Sequence, residues 1–319
     1  MSVLYMIIQQ TMFFAIPLLI VALGGMFTER GGVTNIALDG TMIMGAFTSI
    51  LFISRVQDNM SGQGLLLIAL LIAALTGGVF SLLLAYSAIN MKSDQIIGGT
   101  ALNMFAPAFA VYAARLIQDS GVQQIQFINS FRIAKVPVLG DIPVIGKMFF
   151  SNCYITTLIG IIILIISIIV LYKTRFGLRL RSCGEHPQAA DSVGINVYKM
   201  RYAGVIISGV LGGIGGLVFI IPTSTNFDAT VAGYGFLALA VMIFGQWKPV
   251  RIFFAALFFG LMKTVAAVYS VIPFLDELPL TSDFYKMIPF IATLIVLAFT
   301  SKKSQAPRAV AQPYDKGSR

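Results

Sequence analysis

The stretch Gly140-Asp141-Ile142-Pro143-Val144-Ile145-Gly146-Lys147-Met148 has the outline of a loop that cradles nucleotide phosphates on glycine amides and a lysine. Five residues separate its glycines where four are needed, and Met148 stands where a Ser or Thr hydroxyl should hold magnesium. The chain therefore cannot hydrolyse ATP by that route on its own. His186 is the sole histidine; with no second histidine to share a metal and no serine arrangement beside it, it reads as a surface loop residue. Cys153 and Cys183 fit no zinc spacing and read as packing residues. What remains are polar groups inside apolar runs: Asn35 and Asp39, Asn103 with Pro107 one turn later, and Lys263. Such groups are costly to bury and are candidates for function. For Asp39 two readings stand: a hydrogen bond to a neighbouring helix, or the lining of a substrate path. Lys263 can snorkel or pair internally and takes no role.

The elements that must position these residues follow from composition. Hydrophobic residues make up 57% of the 319 and charged residues only 11%, against about 25% in an ordinary soluble domain. With a mean hydropathy of +0.88, the solvent must be lipid. Runs of about 20 apolar residues, the length a bilayer core demands, predict an all-α bundle of about nine crossings, with eight to ten as the range. They lie near residues 4–27, 33–54, 64–90, 96–117, 152–172, 202–221, 230–246, 251–272 and 284–300. Residues 4–27 lack a basic leader and a small-residue cleavage site, so they read as a retained span. The seventh run is short and opens with Gly233, Tyr234 and Gly235, the mark of a broken helix lining a cavity.

The net charge of +9 is an orientation signal and not a nucleic-acid footprint. Of 22 Lys and Arg, fifteen fall on the side of loop 173–201 and the C-terminal tail and six on the other, with Lys263 inside a span. Cytoplasmic loops carry the excess, which places the N-terminus outside and the tail inside. The two cysteines then fall on opposite sides of the membrane, out of reach of a disulfide.

Packing in lipid relies on small residues four apart. Ala69, Ala73, Gly77, Ser81 and Ala85 form one such stripe, and Gly204, Ser208, Gly212 and Gly216 another. A weak echo links Met42, Ile43, Gly45 and Phe47 to Met242, Ile243, Gly245 and Trp247 at an offset of 200, a candidate inverted repeat.

The loop from Lys173 to Val197 is rich in Arg and contains Pro187 and Gly194, which suit the start and the end of a two-turn helix over Pro187 to Val193. Its pattern of Gly184, Pro187, Ala189, Ala190 and Gly194-Ile195-Asn196-Val197 resembles the coupling segment of bacterial ABC importer permeases for branched-chain amino acids, simple sugars and nucleosides. Glu29 to Gly40 resembles the second-span signature of that superfamily. Gly233-Tyr234-Gly235-Phe236, with Ala238, Ala240, Gly245 and Pro249, resembles the seventh. Asp94 to Asn103 looks most like the nucleoside branch, although Asp39 stands where that branch usually has Glu and Ala37 where it often has Gly.

The resemblance implies a permease domain over residues 1–300, with a cytoplasmic coupling loop at 173–201, an outer loop at 118–151 and a flexible basic tail at 301–319. It implies a place in the bacterial inner membrane beside a second, similar or identical permease. A separate ATPase subunit would use ATP and magnesium, an external lipoprotein would deliver the solute, and this chain would bind no cofactor. Gly184, Pro187, Ala189, Ala190 and Gly194 would couple to the ATPase. Asn35, Asp39, Asn103, Tyr234 and Phe236 would line the path of a small polar solute, most like a nucleoside. Two rivals stand beside this. A gradient-driven transporter would need Asp39 as its ion-coupling carboxylate; a membrane enzyme would need clustered His, Asp or Glu.

Overall fold

A computed structural model of the chain describes residues 2–118, 121–128, 130–135, 151–269, 284–285, 287–289, 291–292, 294 and 305–317. In lipid the backbone has no external partner, so helices that close their own hydrogen bonds dominate. The first half contains α1 (Ser2–Arg30), α2 (Leu38–Val56), α3 (Gln63–Ala85) and α4 (Gln95–Ile117). The second contains α5 (Ile155–Lys173), α6 (Arg175–Glu185), α7 (Pro187–Ser192), α8 (Val197–Thr223), α9 (Tyr234–Phe244) and α10 (Pro249–Val268). A π-helical turn, Tyr86–Asn90, prolongs α3. Two small antiparallel ladders join β1 (Ile125–Gln126) to β4 (Asn226–Phe227) and β2 (Ile133–Lys135) to β3 (Ser151–Cys153). The expected all-α bundle thus carries short strand pairs in its longest connections.

Among the described residues six helices are long and apolar enough to cross a membrane: Leu4–Arg30, Gln63–Asn90, Gln95–Ile117, Ile155–Lys173, Val197–Thr223 and Pro249–Val268. Two of the expected runs differ from plain spans. The second does not become helical until Leu38, and Val33 to Ala37 stay irregular. Asp39 is therefore in the first turn of α2. The seventh shrinks to the 11 residues of α9, because Gly233 takes a left-handed φ of +71° and turns the chain just before it. The ninth run lies largely outside the described residues, as does the 140–148 segment.

α8 is the hub and packs along α1, α2 and α3. Its anticipated stripe faces α1 and α2, where Gly204 abuts the Phe27 carbonyl and Gly216 the Met42 carbonyl. A second stripe, Gly209 and Gly213, lies against Ala73, Gly77 and Ser81 of α3. A Cβ at Gly213 would overlap the Ala73 carbonyl, and Gly45 of α2 presses on the same backbone. Three helices converge there at backbone contact, which only glycine permits. Outside this core the bundle presents exposed Leu71, Leu75 and Val79 on α3, Met104 and Leu116 on α4, and Ile165 and Ile169 on α5, an apolar wall suited to lipid.

Candidate functional site

After Arg30 the chain leaves α1 through Gly31 and Gly32 and runs irregularly to α2. Irregular backbone inside a membrane protein must find partners from neighbouring elements. Here α4 and α8 supply them. The Thr34 amide donates to Gln95 Oε1 at 2.7 Å. Asn103 spans the break, with Nδ2 donating to the Ile36 carbonyl at 2.8 Å and Oδ1 accepting from the Gly40 amide at 2.7 Å. Asn35 Nδ2 donates to Ser208 Oγ at 2.9 Å.

A second helix starts at the same place. The Gly235 amide, in the first turn of α9, donates to Asp39 Oδ1 at 2.9 Å. A Cβ on Gly235 would overlap the Asp39 backbone, so the two helix starts touch. Unsatisfied amides give a helix start partial positive charge, and a carboxylate lying between two of them is well placed. The two helices that carry the start of the 200-residue echo, α2 and α9, therefore meet at their N-terminal ends.

Asn35, Asp39 and Asn103 are thus brought together: the two Asn103 bonds serve the backbone of the break, Asn35 ties it to Ser208 and Asp39 holds the start of α9. The Asn35 Oδ1 atom is buried without a partner among the described residues. Tyr234 is buried beside them at the head of α9, whereas Phe236 is 51% exposed and stands apart from the group. The carboxylate that a gradient-driven carrier would need is engaged as the cap of α9. Beyond the junction, a cavity of about 510 Å³ opens between α1, α8, α9 and α10, with Tyr234 and Lys263 in its wall.

At the Arg30 end of the bundle, α5 gives way to α6, which Thr174 caps by accepting the Gly177 amide at 3.1 Å. The expected short helix forms as α7, with Pro187 in its first turn and Gly194 at φ +83° just after its end. His186 is exposed as expected, yet it also caps α7, its Nδ1 accepting the Ala189 amide at 3.2 Å. The five coupling candidates divide by face. Gly184, Pro187 and Ala190 are buried against the bundle, while Ala189 and Gly194 are exposed.

Three features at this end escaped the sequence reading. Glu29 is only 7% exposed and accepts the Trp247 indole N–H at 2.6 Å; the Arg30 guanidinium donates to the Trp247 carbonyl at 3.0 Å and lies 3.7 Å from Glu185. Arg201 is 1% exposed and donates to the Gln312 carbonyl at 3.0 Å. Residues 305–317, placed by the sequence in a flexible tail, instead pack on the loop. The Ala309 amide donates to the Gly184 carbonyl at 2.9 Å, Lys92 pairs with Asp315 at 2.9 Å, and buried Tyr314 meets the Tyr198 ring with centroids 5.4 Å apart. The signal was there in principle: a charge at the edge of an apolar run, as at Arg201, has to be paid for by a partner. Cys183 is sealed in this cluster with Ala190, Val197 and Tyr314, and burial pushes its thiol pKa up although Arg201 pulls the other way.

Over residues 7–297 the chain matches the family model described as branched-chain amino acid transport system / permease component. It is 43% identical over 319 residues to the guanosine ABC transporter permease protein NupQ of Bacillus subtilis, covering 100% of this chain and 99% of that one. It is also 43% identical over 309 residues to the nucleoside ABC transporter permease protein NupC of Lactococcus lactis, covering 97% and 96%. The nucleoside ABC transporter permease protein NupB of the same bacterium is 27% identical over 265 residues, 78% of this chain and 69% of that one. No solved structure matches.

Proposed function

Because the chain belongs to the branched-chain amino acid transport system permease family, we propose that it is the membrane-spanning permease subunit of an ATP-binding cassette importer for nucleosides. The observation that carries this reading is similarity along the whole chain to two permeases named for nucleosides, on a lipid-adapted bundle. It is a transport subunit and not an enzyme.

Nine crossings are the natural count, with α2, α9 and the apolar run 284–300 added to the six long apolar helices. The Lys and Arg bias supports an outside N-terminus, an inside C-terminus and a place in the bacterial inner membrane. The permease domain then takes in residues 1–300, with loop 118–151 outside and loop 173–201 inside.

ATP and magnesium belong to a separate ATPase subunit, and this chain binds no cofactor of its own. α7 is the handle for that ATPase: its buried side, Pro187 and Ala190, transmits motion to the bundle, and its exposed side, Ala189 with Gly194, meets the partner. Gly184 is the joint between the two. A second permease completes the path. Two nucleoside permeases named from one Lactococcus strain support a companion that is a relative and not a copy. A lipoprotein receptor outside delivers the solute.

The test is uptake of radiolabelled guanosine and uridine by cells that express the whole transporter. Uptake that fails when ATP is depleted, and persists when the proton and sodium gradients are collapsed, is expected. Uptake that follows the gradients instead would sink the proposal.

A further inference from the structure

The cavity between α1, α8, α9 and α10 has an aromatic lining: Phe13 and Phe14 from α1, Phe219 from α8 and Tyr234 from α9. Gln10 and Lys263 add polar groups to the same wall. The Tyr234 ring lies with its centroid 4.0 Å from that of Phe219 and 5.5 Å from Lys263 Nζ. Tyr234 is 2% exposed, and its hydroxyl has no hydrogen-bond partner among the described residues. A buried phenol almost always finds a partner, because an orphaned hydroxyl keeps its desolvation cost. Packing alone would be served as well by phenylalanine at this position.

A ligand that answers all of these features has flat apolar faces and a polar edge. Aromatic walls favour stacking of a planar ring. A tyrosine hydroxyl, an amide and an ammonium can between them donate to and accept from ring nitrogens and carbonyls. A volume of about 510 Å³ falls in the range of small-molecule sites and leaves room for an attached sugar. From this we infer that the cavity receives the base of a nucleoside in transit, stacked on the aromatic wall and read at its edge by Tyr234, Gln10 and Lys263. This rests on the nucleoside reading above and places one of its binding stations on the wall that this permease chain contributes to the path.

The assembled transporter in lipid nanodiscs, irradiated with 8-azidoguanosine, gives a direct test. The label is expected on peptides containing Phe13, Phe219 or Tyr234, and excess unlabelled guanosine should prevent it. Tyr234→Phe keeps the ring and removes only the hydroxyl. It is expected to raise the KM for guanosine uptake by about tenfold, the usual order for a lost polar contact in a closed site. Two outcomes overturn the cavity assignment while leaving nucleoside transport intact: guanosine-protected label confined to other segments, or a Tyr234→Phe transporter with unchanged KM and greater thermal stability. Labelling of the cavity that guanosine does not displace points to a lipid or another occupant and also overturns it. A wild-type transporter that moves no nucleoside removes both this inference and the reading beneath it.

Discussion

The carboxylate of Asp39 accepts the backbone amide of Gly235 at 2.9 Å, across 196 residues of sequence. This contact ties the start of α2 to the start of α9, so neither helix start can shift without the other. In the proposed permease, such a tie would let a movement of one broken helix reach the second directly.

If Asp39 acts as a cap, Asp39→Asn should retain transport, because an amide oxygen can still accept from Gly235. Asp39→Leu should lose it. Uptake measured at matched expression separates the two, and loss of function in Asp39→Asn would point back to a proton- or ion-coupling carboxylate.

Asn103→Leu removes both bonds that hold the break before α2 and leaves the Ile36 carbonyl and Gly40 amide without their partner. With about 1–3 kcal/mol for each orphaned group, the expected loss is about 2–6 kcal/mol in total. Thermal unfolding of the detergent-solubilised protein should register it as a clear fall in Tm. An unchanged Tm would mean that other groups take over both bonds.

At the three-helix contact, Gly213→Ala forces a methyl group into the Ala73 carbonyl and should cost about 1–3 kcal/mol. Gly98→Ala serves as the comparison, since its new Cβ would come no closer than 3.3 Å to Ser87 Oγ. Only the first should lower the yield of folded protein on size-exclusion chromatography.

On α7, Ala189→Arg places a charge on an exposed face, and Ala190→Arg places one in a buried position. The first is expected to leave Tm unchanged while reducing ATPase stimulation by the permease, and the second to unfold the loop. Wild-type ATPase coupling in Ala189→Arg would remove this face from the partner interface.

Tyr314→Ala should uncover Cys183, which is fully buried in the wild type. In a Cys153→Ala background, maleimide labelling at pH 7 is expected to rise from near zero once the ring is gone. The raised pKa of the buried thiol keeps the reactive thiolate scarce in the intact protein, so labelling of wild type should also increase with pH. Fast labelling of the wild type would show that residues 305–317 do not seal the loop.

Composition and periodicity alone determined that this is a polytopic helical protein, which stripes of small residues pack its helices, and where a short helix sits between Pro187 and Gly194. Each of these is a local property, set by transfer of apolar residues into lipid, by four-residue spacing and by the fixed φ of proline. The motif resemblance added the permease family, which the full-length similarity bears out. Tertiary structure decided what Asn35, Asp39 and Asn103 do, because their partners Ser208, Gly235 and Ile36 come from chain segments up to 196 residues away. It also decided that residues 305–317 are a strap and not a loose end. No local pattern near Tyr314 announces that Tyr198 and Arg201 lie above it: hydrogen bonds and ring contacts between distant segments exist only once the bundle has closed.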